Sequence, residues 1–315
     1  MIKLQRIIIE NWPVKPIIDW SKKLVLPGFE GIPLYDVIVF FMKQTRQVGL
    51  NERAASVAFN FLMAIPPLFI FIFTTISLLP GSKKLYSEIL ILLKNIIPDS
   101  RTFIMIKNVT DDFFAAGTGT LSVGLLLAAY FSSNATVTLM RTFRKSMLHI
   151  EVENRNFIQI RIAAIKLTLI IVLLILATIV IMFTQNVVIG YISKSLHIKN
   201  HSLDWIIATT QIGLTILLIF FAIGLIYRHA PHVQKKWKIR TPGSILATIL
   251  IILFSYLFSY WVNNIASYNK VYGSLGSILI LMFLVFVNSL VLLIGFELNV
   301  SINSIKSISE KRNIH

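Results

Sequence analysis

Six stretches of this chain carry no Asp, Glu, Lys or Arg for 23 residues or more: 54–82, 113–140, 167–193, 205–227, 241–269 and 271–296. A helix needs about 20 apolar residues to cross a hydrocarbon core. Backbone polar groups cannot stay unpaired there, so each stretch is predicted to be a spanning helix. Lys270 alone divides the last two, inside Tyr268-Asn-Lys-Val-Tyr-Gly273, which reads as a tight turn. Three further pieces show helical periodicity but are too short or too polar to span. In 34–48, Leu34, Val37, Ile38, Phe41, Thr45 and Val48 form one stripe; in 85–96, Leu85, Ile89, Leu92, Leu93 and Ile96 do so; 102–114 is weaker. Amphipathic pieces of this kind lie at a membrane interface or over a bundle.

The fold class that follows is all-α: an integral-membrane six-helix bundle with additional amphipathic interfacial helices. It divides into a cytoplasmic N-terminal segment (1–53), a six-span domain (54–298) and a cytoplasmic tail (299–315). Only 14% of the 315 residues are charged, against about 25% in soluble domains, which excludes a water-facing globule of this length. The first apolar stretches are interrupted by Lys15, Lys22, Lys23 and Glu30, so no cleavable leader is expected.

The net charge of +16 first suggests nucleic acid or anionic lipid as a partner. Position decides between them. With the N-terminus inside, segments 1–53, 141–162, 228–240 and 299–315 hold 21 Lys and Arg, and the outer segments 81–112, 194–204 and 270 hold 8. Positive residues concentrate on the cytoplasmic side of membrane proteins. The expected setting is therefore the bacterial inner membrane with both termini cytoplasmic, the basic residues meeting anionic headgroups, and no nucleic-acid partner. The oligomeric state is not legible.

Candidate chemistry lies in and beside the spans. Glu52, Arg53, Arg141, Arg228 and Glu297 are expected at cytoplasmic helix ends. Glu297 follows 26 uncharged residues, and an acid at that depth needs a partner, for which Arg53 or Arg228 is available. Pro66 and Pro67 should kink or break the first span, as a structural kink or as a discontinuous helix lining a cavity. The second span holds Ser132, Ser133, Asn134 and Thr136, which either find partners in the bundle or line a wet path. Asn60 and Asn288 are further candidates for a cavity lining. The chain has no cysteine, so disulfides, thiol nucleophiles and Cys-based metal sites are excluded. His229 and His232 lack a carboxylate cluster, and no phosphate loop or hydrolase motif occurs. No catalytic residue, metal or cofactor is expected.

From Arg53-Ala-Ala-Ser-Val-Ala-Phe59 into Ile65-Pro-Pro-Leu68, through the Ser/Asn-rich second span, Tyr227-Arg-His-Ala-Pro231, Pro242-Gly243, Tyr272-Gly-Ser-Leu-Gly276 and Leu293-Ile-Gly-Phe-Glu-Leu-Asn299, the chain resembles the YihY/BrkB family of bacterial inner-membrane proteins, once labelled ribonuclease BN. The resemblance covers about residues 35–300 and marks Tyr227, Pro231, Tyr272, Gly273, Gly276 and Gly295 as motif positions. It implies a six-helix bundle with cytoplasmic termini, and some members are linked to translocation of lipids or lipopolysaccharide precursors. Asn60 departs from the aromatic expected there.

The leading expectation is a transporter of a lipid or other amphiphile. The alternative is a structural or assembly factor without transport. A ribonuclease comes last, because Glu52, Glu297, His229 and His232 would be its only raw material.

Overall fold

The computed structural model describes residues 15–77, 82–96, 103–104, 107–108, 110–111, 118–148, 150–196, 200–233, 236–264 and 274–313. Among these the chain forms helices α1 (Lys15–Lys23), α2 (Leu34–Val48), α3 (Leu50–Ser77), α4 (Ser82–Ile96), α5 (Thr118–Ser146), α6 (Phe157–Leu196), α7 (Asn200–His229), α8 (Pro242–Asn264) and α9 (Ser274–Asn313). An antiparallel bridge joins Val152 to Val233. Among the described residues, five helices are long and apolar enough to cross a membrane, over Leu50–Ser77, Phe157–Thr178, Thr209–His229, Pro242–Val262 and Leu279–Glu310. Helix α5 covers most of the expected second span and carries the Ser132-Ser133-Asn134 run, but it is not one of the five.

The helices outrun the charge-free stretches. Helix α6 begins ten residues before 167 and takes in Arg161 and Lys166, and α9 continues through the expected tail to Asn313, burying Val300, Ser301, Ile302 and Ser304. Long basic side chains at a span's edge reach polar partners while the helix continues, so charge marks the edge of the lipid-immersed part and not the helix end. Helix α3 runs through Pro66 and Pro67 without interruption, which corrects the discontinuous-helix expectation. Of the amphipathic pieces, 34–48 and 85–96 are helical; 102–114 lies largely outside the described residues.

The chain separates into two compact units. One comprises Met1–Ala58, Met140–Asn154 and Ile223–His315; the other comprises Phe59–Leu139 and Arg155–Ala222. In the first, α8 packs against α9, α9 against α2 and α2 against α1. Val37 of α2 meets Phe29 and Ile302 in a small core with Leu34, Leu298 and Ile305 around it. Gly49 then takes a left-handed φ of 61°, open to glycine at little steric cost, and turns the chain from α2 into α3. A second core stacks Phe143 on Phe296 with centroids 3.7 Å apart, and Tyr227 and Trp237 abut the pair. In the second unit, Phe71, Phe73 and Ile76 of α3 pack with Ile89 of α4, Ala128 of α5 and Val172 and Leu176 of α6.

Candidate functional site

In the first unit the deepest acid finds its partner. Arg53 lies in the first turn of α3 and Glu297 inside α9. Arg53 Nη1 donates to Glu297 Oε1 at 2.8 Å, and the two side chains are 7% and 0% exposed. Arg53 Nη2 donates to the Thr142 carbonyl at 2.7 Å and reaches Ser146 Oγ at 2.5 Å. Ser146 Oγ in turn donates to Glu297 Oε1 at 2.5 Å. The Ser146 carbonyl accepts from Gln44 Nε2 at 2.7 Å, so α2, α3, the end of α5 and α9 close on one network. Glu297 Oε2 and Arg53 Nε are buried without a hydrogen-bond partner among the described residues. Of the two cations expected for Glu297, Arg53 is the partner; Arg228 is half-buried and outside the network. Glu52 and Arg141 are exposed. Glu297 and Arg141 lie within helices rather than at helix ends, because α9 and α5 continue past them.

The motif positions of this unit form the packing beside that network. Tyr227 is fully buried and donates to the Leu292 carbonyl at 2.6 Å. A Cβ on Gly295 would come within 2.5 Å of both the Gly243 carbonyl oxygen and the Tyr227 hydroxyl; small residues let α8 and α9 approach this closely. Asn299 locks the start of α8, accepting from the Gly243 amide at 2.9 Å and donating to Thr241 Oγ1 at 2.9 Å. Pro231 is buried in the turn where the Glu153 amide donates to the His232 carbonyl at 2.8 Å. Tyr272 and Gly273 lie outside the described residues; Gly276 falls in the first turn of α9.

Between α8 and α9 runs a groove of about 680 Å³, lined by Phe254, Phe258, Trp261, Phe283, Val287 and Asn288 among others. Asn288 donates to the Leu284 carbonyl at 3.0 Å, which leaves its Oδ1 buried without a partner among the described residues.

In the second unit the polar run of α5 is held by a residue that sequence reasoning missed. Arg161 of α6 donates through Nη1 to Asn134 Oδ1 at 2.8 Å, to Ser133 Oγ at 3.1 Å and to the Tyr130 carbonyl at 3.4 Å. Ser132 donates to the Ala129 carbonyl, and Thr136 bonds Thr168 at 2.9 Å. These groups therefore have partners in the bundle. Asn60 and Pro67 are half-buried and Pro66 is exposed. The signal for Arg161 was its place four residues into a helix whose apolar face continues from Phe157, although the charge count put it in a loop.

Also in this unit, Tyr86 donates to Asp111 Oδ1 at 2.5 Å and Lys107 to Asp111 Oδ2 at 2.7 Å. Burial, and then the bond to Asp111, push the Tyr86 hydroxyl up to about 12. The bond from Lys107, and then that from Tyr86, hold the Asp111 carboxyl below its ordinary value. Among the described residues no group of three or more His, Asp or Glu is placed to hold a metal ion.

Several long apolar helices around buried polar networks define a multi-pass helical membrane protein. The chain belongs to the Virulence factor BrkB family, which it matches over residues 41–314. It is 26% identical over 276 residues to a ribonuclease-like protein, YfkH, of Bacillus subtilis strain 168, covering 87% of this chain and 98% of that one. It is 24% identical over 267 residues to a UPF0761 membrane protein of Tolumonas auensis, covering 82% of each. A shorter match, 31% over 86 residues, reaches 27% of this chain and 20% of a UPF0761 membrane protein of Stenotrophomonas maltophilia strain K279a. No solved structure matches.

Proposed function

We propose that this protein crosses the bacterial inner membrane six times with both termini cytoplasmic, and that it moves a lipid or other amphiphile between leaflets. The observation that carries the proposal is the α8–α9 groove. It is almost wholly apolar, and one of its lining residues, Asn288, has an amide oxygen buried without a partner among the described residues. A passive helix seam in lipid has no use for an unpaired acceptor, which is costly in an apolar medium. A chain with a hydrogen-bond donor in its headgroup satisfies both the walls and the amide. The basic cytoplasmic segments meet anionic headgroups at about 1 kcal/mol per Lys or Arg near the surface. Helix α2, with Ile38, Val39 and Met42 exposed beside Lys43 and Arg46, fits an interfacial position.

The test is lipid scrambling in proteoliposomes, read by dithionite bleaching of a headgroup-labelled fluorescent phospholipid. Movement above protein-free vesicles that drops on filling the groove with Ser255→Trp is expected. No movement of any phospholipid, zwitterionic or anionic, would refute transport. The assembly-factor reading is favoured by one observation, the Arg53–Glu297 network, which is packed shut rather than open to a path.

A further inference from the structure

Arg53 has an acid; among the described residues Arg161 has none. Among the described residues no carboxylate lies within ion-pair distance of Arg161, and its Nε is buried without a partner. Its contacts among the described residues are neutral: the Tyr130 carbonyl, Ser133 Oγ and Asn134 Oδ1 on Nη1, with the guanidinium carbon 4.1 Å from the centroid of the Tyr130 ring and 5.7 Å from that of Phe157. Three acceptors on one nitrogen and an aromatic face beneath fix the plane of the fork. Among the described residues Nη2 has no hydrogen-bond partner and is not a buried atom, so it is the donor left for something outside the fold. A guanidinium with restricted access to water and no counter-ion among the described residues favours an anion, and Nη2 can donate a charge-assisted bond to a phosphate oxygen.

The surroundings say where that anion comes from. Phe157, Ile158 and Ile162 on the same helix are 58%, 69% and 49% exposed, and Phe131, beside Tyr130 on α5, is 50% exposed. An apolar surface this dense marks contact with lipid chains rather than with water. A cation at the edge of a span, flanked by exposed apolar side chains, has the layout of a phospholipid: charge at headgroup level, hydrocarbon alongside. The geometry points to a binding site for the phosphate of an anionic phospholipid on Arg161 and its Tyr130–Asn134 cradle, with an acyl chain along Phe157, Ile158 and Ile162. The site rests on the membrane setting proposed above but does not require transport.

The chain has no cysteine, so one introduced thiol reports alone. The full-length Ile158→Cys protein carries a bimane label in phosphatidylcholine nanodiscs, and quenching by brominated phosphatidylglycerol is compared with quenching by brominated phosphatidylcholine. In the latter the ammonium offsets the phosphate. A preference of about fivefold for phosphatidylglycerol is expected, the equivalent of one headgroup charge pair, and it should fall to near unity in Arg161→Gln. Tyr130→Leu and Asn134→Ala, which keep the charge and loosen the cradle, serve if Arg161→Gln does not fold; each should at least halve the preference. A label at Leu253→Cys on α8 should show no change in any variant. Equal quenching by the two lipids, or a full preference in every variant, overturns the site. Loss of the preference to 20 mM inorganic phosphate, beyond the effect of an equal ionic strength of chloride, reassigns it to a free anion and overturns the lipid. Preference without scrambling refutes transport and leaves the site standing; scrambling without preference does the reverse.

Discussion

Replacing Glu297 by Gln tests whether the buried network holds the first unit together. Glutamine keeps the volume and can still accept from Arg53 and Ser146 at Oε1, but the charge is gone. Arg53 then remains a buried cation solvated by neutral acceptors alone: the Thr142 carbonyl, the Ser146 hydroxyl and the glutamine oxygen. Breaking a buried pair by removing one partner costs about 3–5 kcal/mol. The surviving neutral acceptors place this case at the lower end, about 3 kcal/mol. At about 2 °C per kcal/mol for a chain of this size, the melting temperature in detergent should fall by about 6 °C, read by loss of the monodisperse peak after heating. The double variant Arg53→Leu with Glu297→Leu removes both charges and should recover most of the loss, because replacing a whole buried pair by apolar side chains is often neutral. A Glu297→Gln protein melting within 1 °C of its parent, or a double variant no better than Glu297→Gln, would refute the structural role. Normal melting with lost lipid movement would instead assign Glu297 to gating.

Gly295→Ala places a Cβ within 2.5 Å of the Gly243 carbonyl and the Tyr227 hydroxyl; overpacking of this kind costs about 2 kcal/mol, so a drop of about 4 °C is expected, against no loss for Gly213→Ala, where nothing lies within 4 Å. Alkaline difference spectra between the parent and Tyr86→Phe should show the Tyr86 phenolate near 12. Because the folded value is raised, the stability this group contributes is present below its ordinary value of about 10 and is lost as pH rises through 12. Asp111 runs the other way: its folded value is lowered, so its contribution is present above about 4 and is lost as pH falls through the folded value. Asp111→Asn should return the Tyr86 transition toward 10. Reporter fusions after residues 95, 200 and 315 should give periplasmic, periplasmic and cytoplasmic signals; a periplasmic signal at 315 or a cytoplasmic one at 95 or 200 would overturn the topology.

What the sequence made legible follows from which forces act locally. Apolar length is a local property, so the long helices could be read directly. The ends could not, because Arg161 and Lys166 continue α6 where a charge count stops it. Helix α2 shows a second limit. Its expected stripe included Ile38, which is 47% exposed, whereas Gln44 is buried and bonded to the Ser146 carbonyl. An amide that finds a carbonyl 102 residues away reads as polar in a periodicity argument and as core in the fold. The pairing of Glu297 with a cation was legible because an acid after 26 uncharged residues has few ways to stay charged. The choice of Arg53 over Arg228 was not, since it depends on which helices meet. Ser133 and Asn134 were legible as groups needing partners, and their partner was hidden for the same reason.

Arg53 and Arg161 count equally in the charge asymmetry on which the proposed orientation rests, yet the fold treats them oppositely. Arg53 is neutralised by Glu297 and adds no net charge to the surface. Arg161 is held by neutral acceptors and rings and keeps its full charge. The number of basic residues on one side therefore overstates the charge available to lipid, and the effective charge has to be counted one residue at a time after subtracting internal pairs. This separates two effects that the sequence merges. Removing Arg53 should weaken the fold and leave headgroup preference at Arg161 intact. Removing Arg161 should erase the preference while the Arg53–Glu297 network, in the other unit, keeps its contribution to melting. The proposed topology rests on the cations of all the segments assigned to the cytoplasm together, so neither substitution alone should invert the chain.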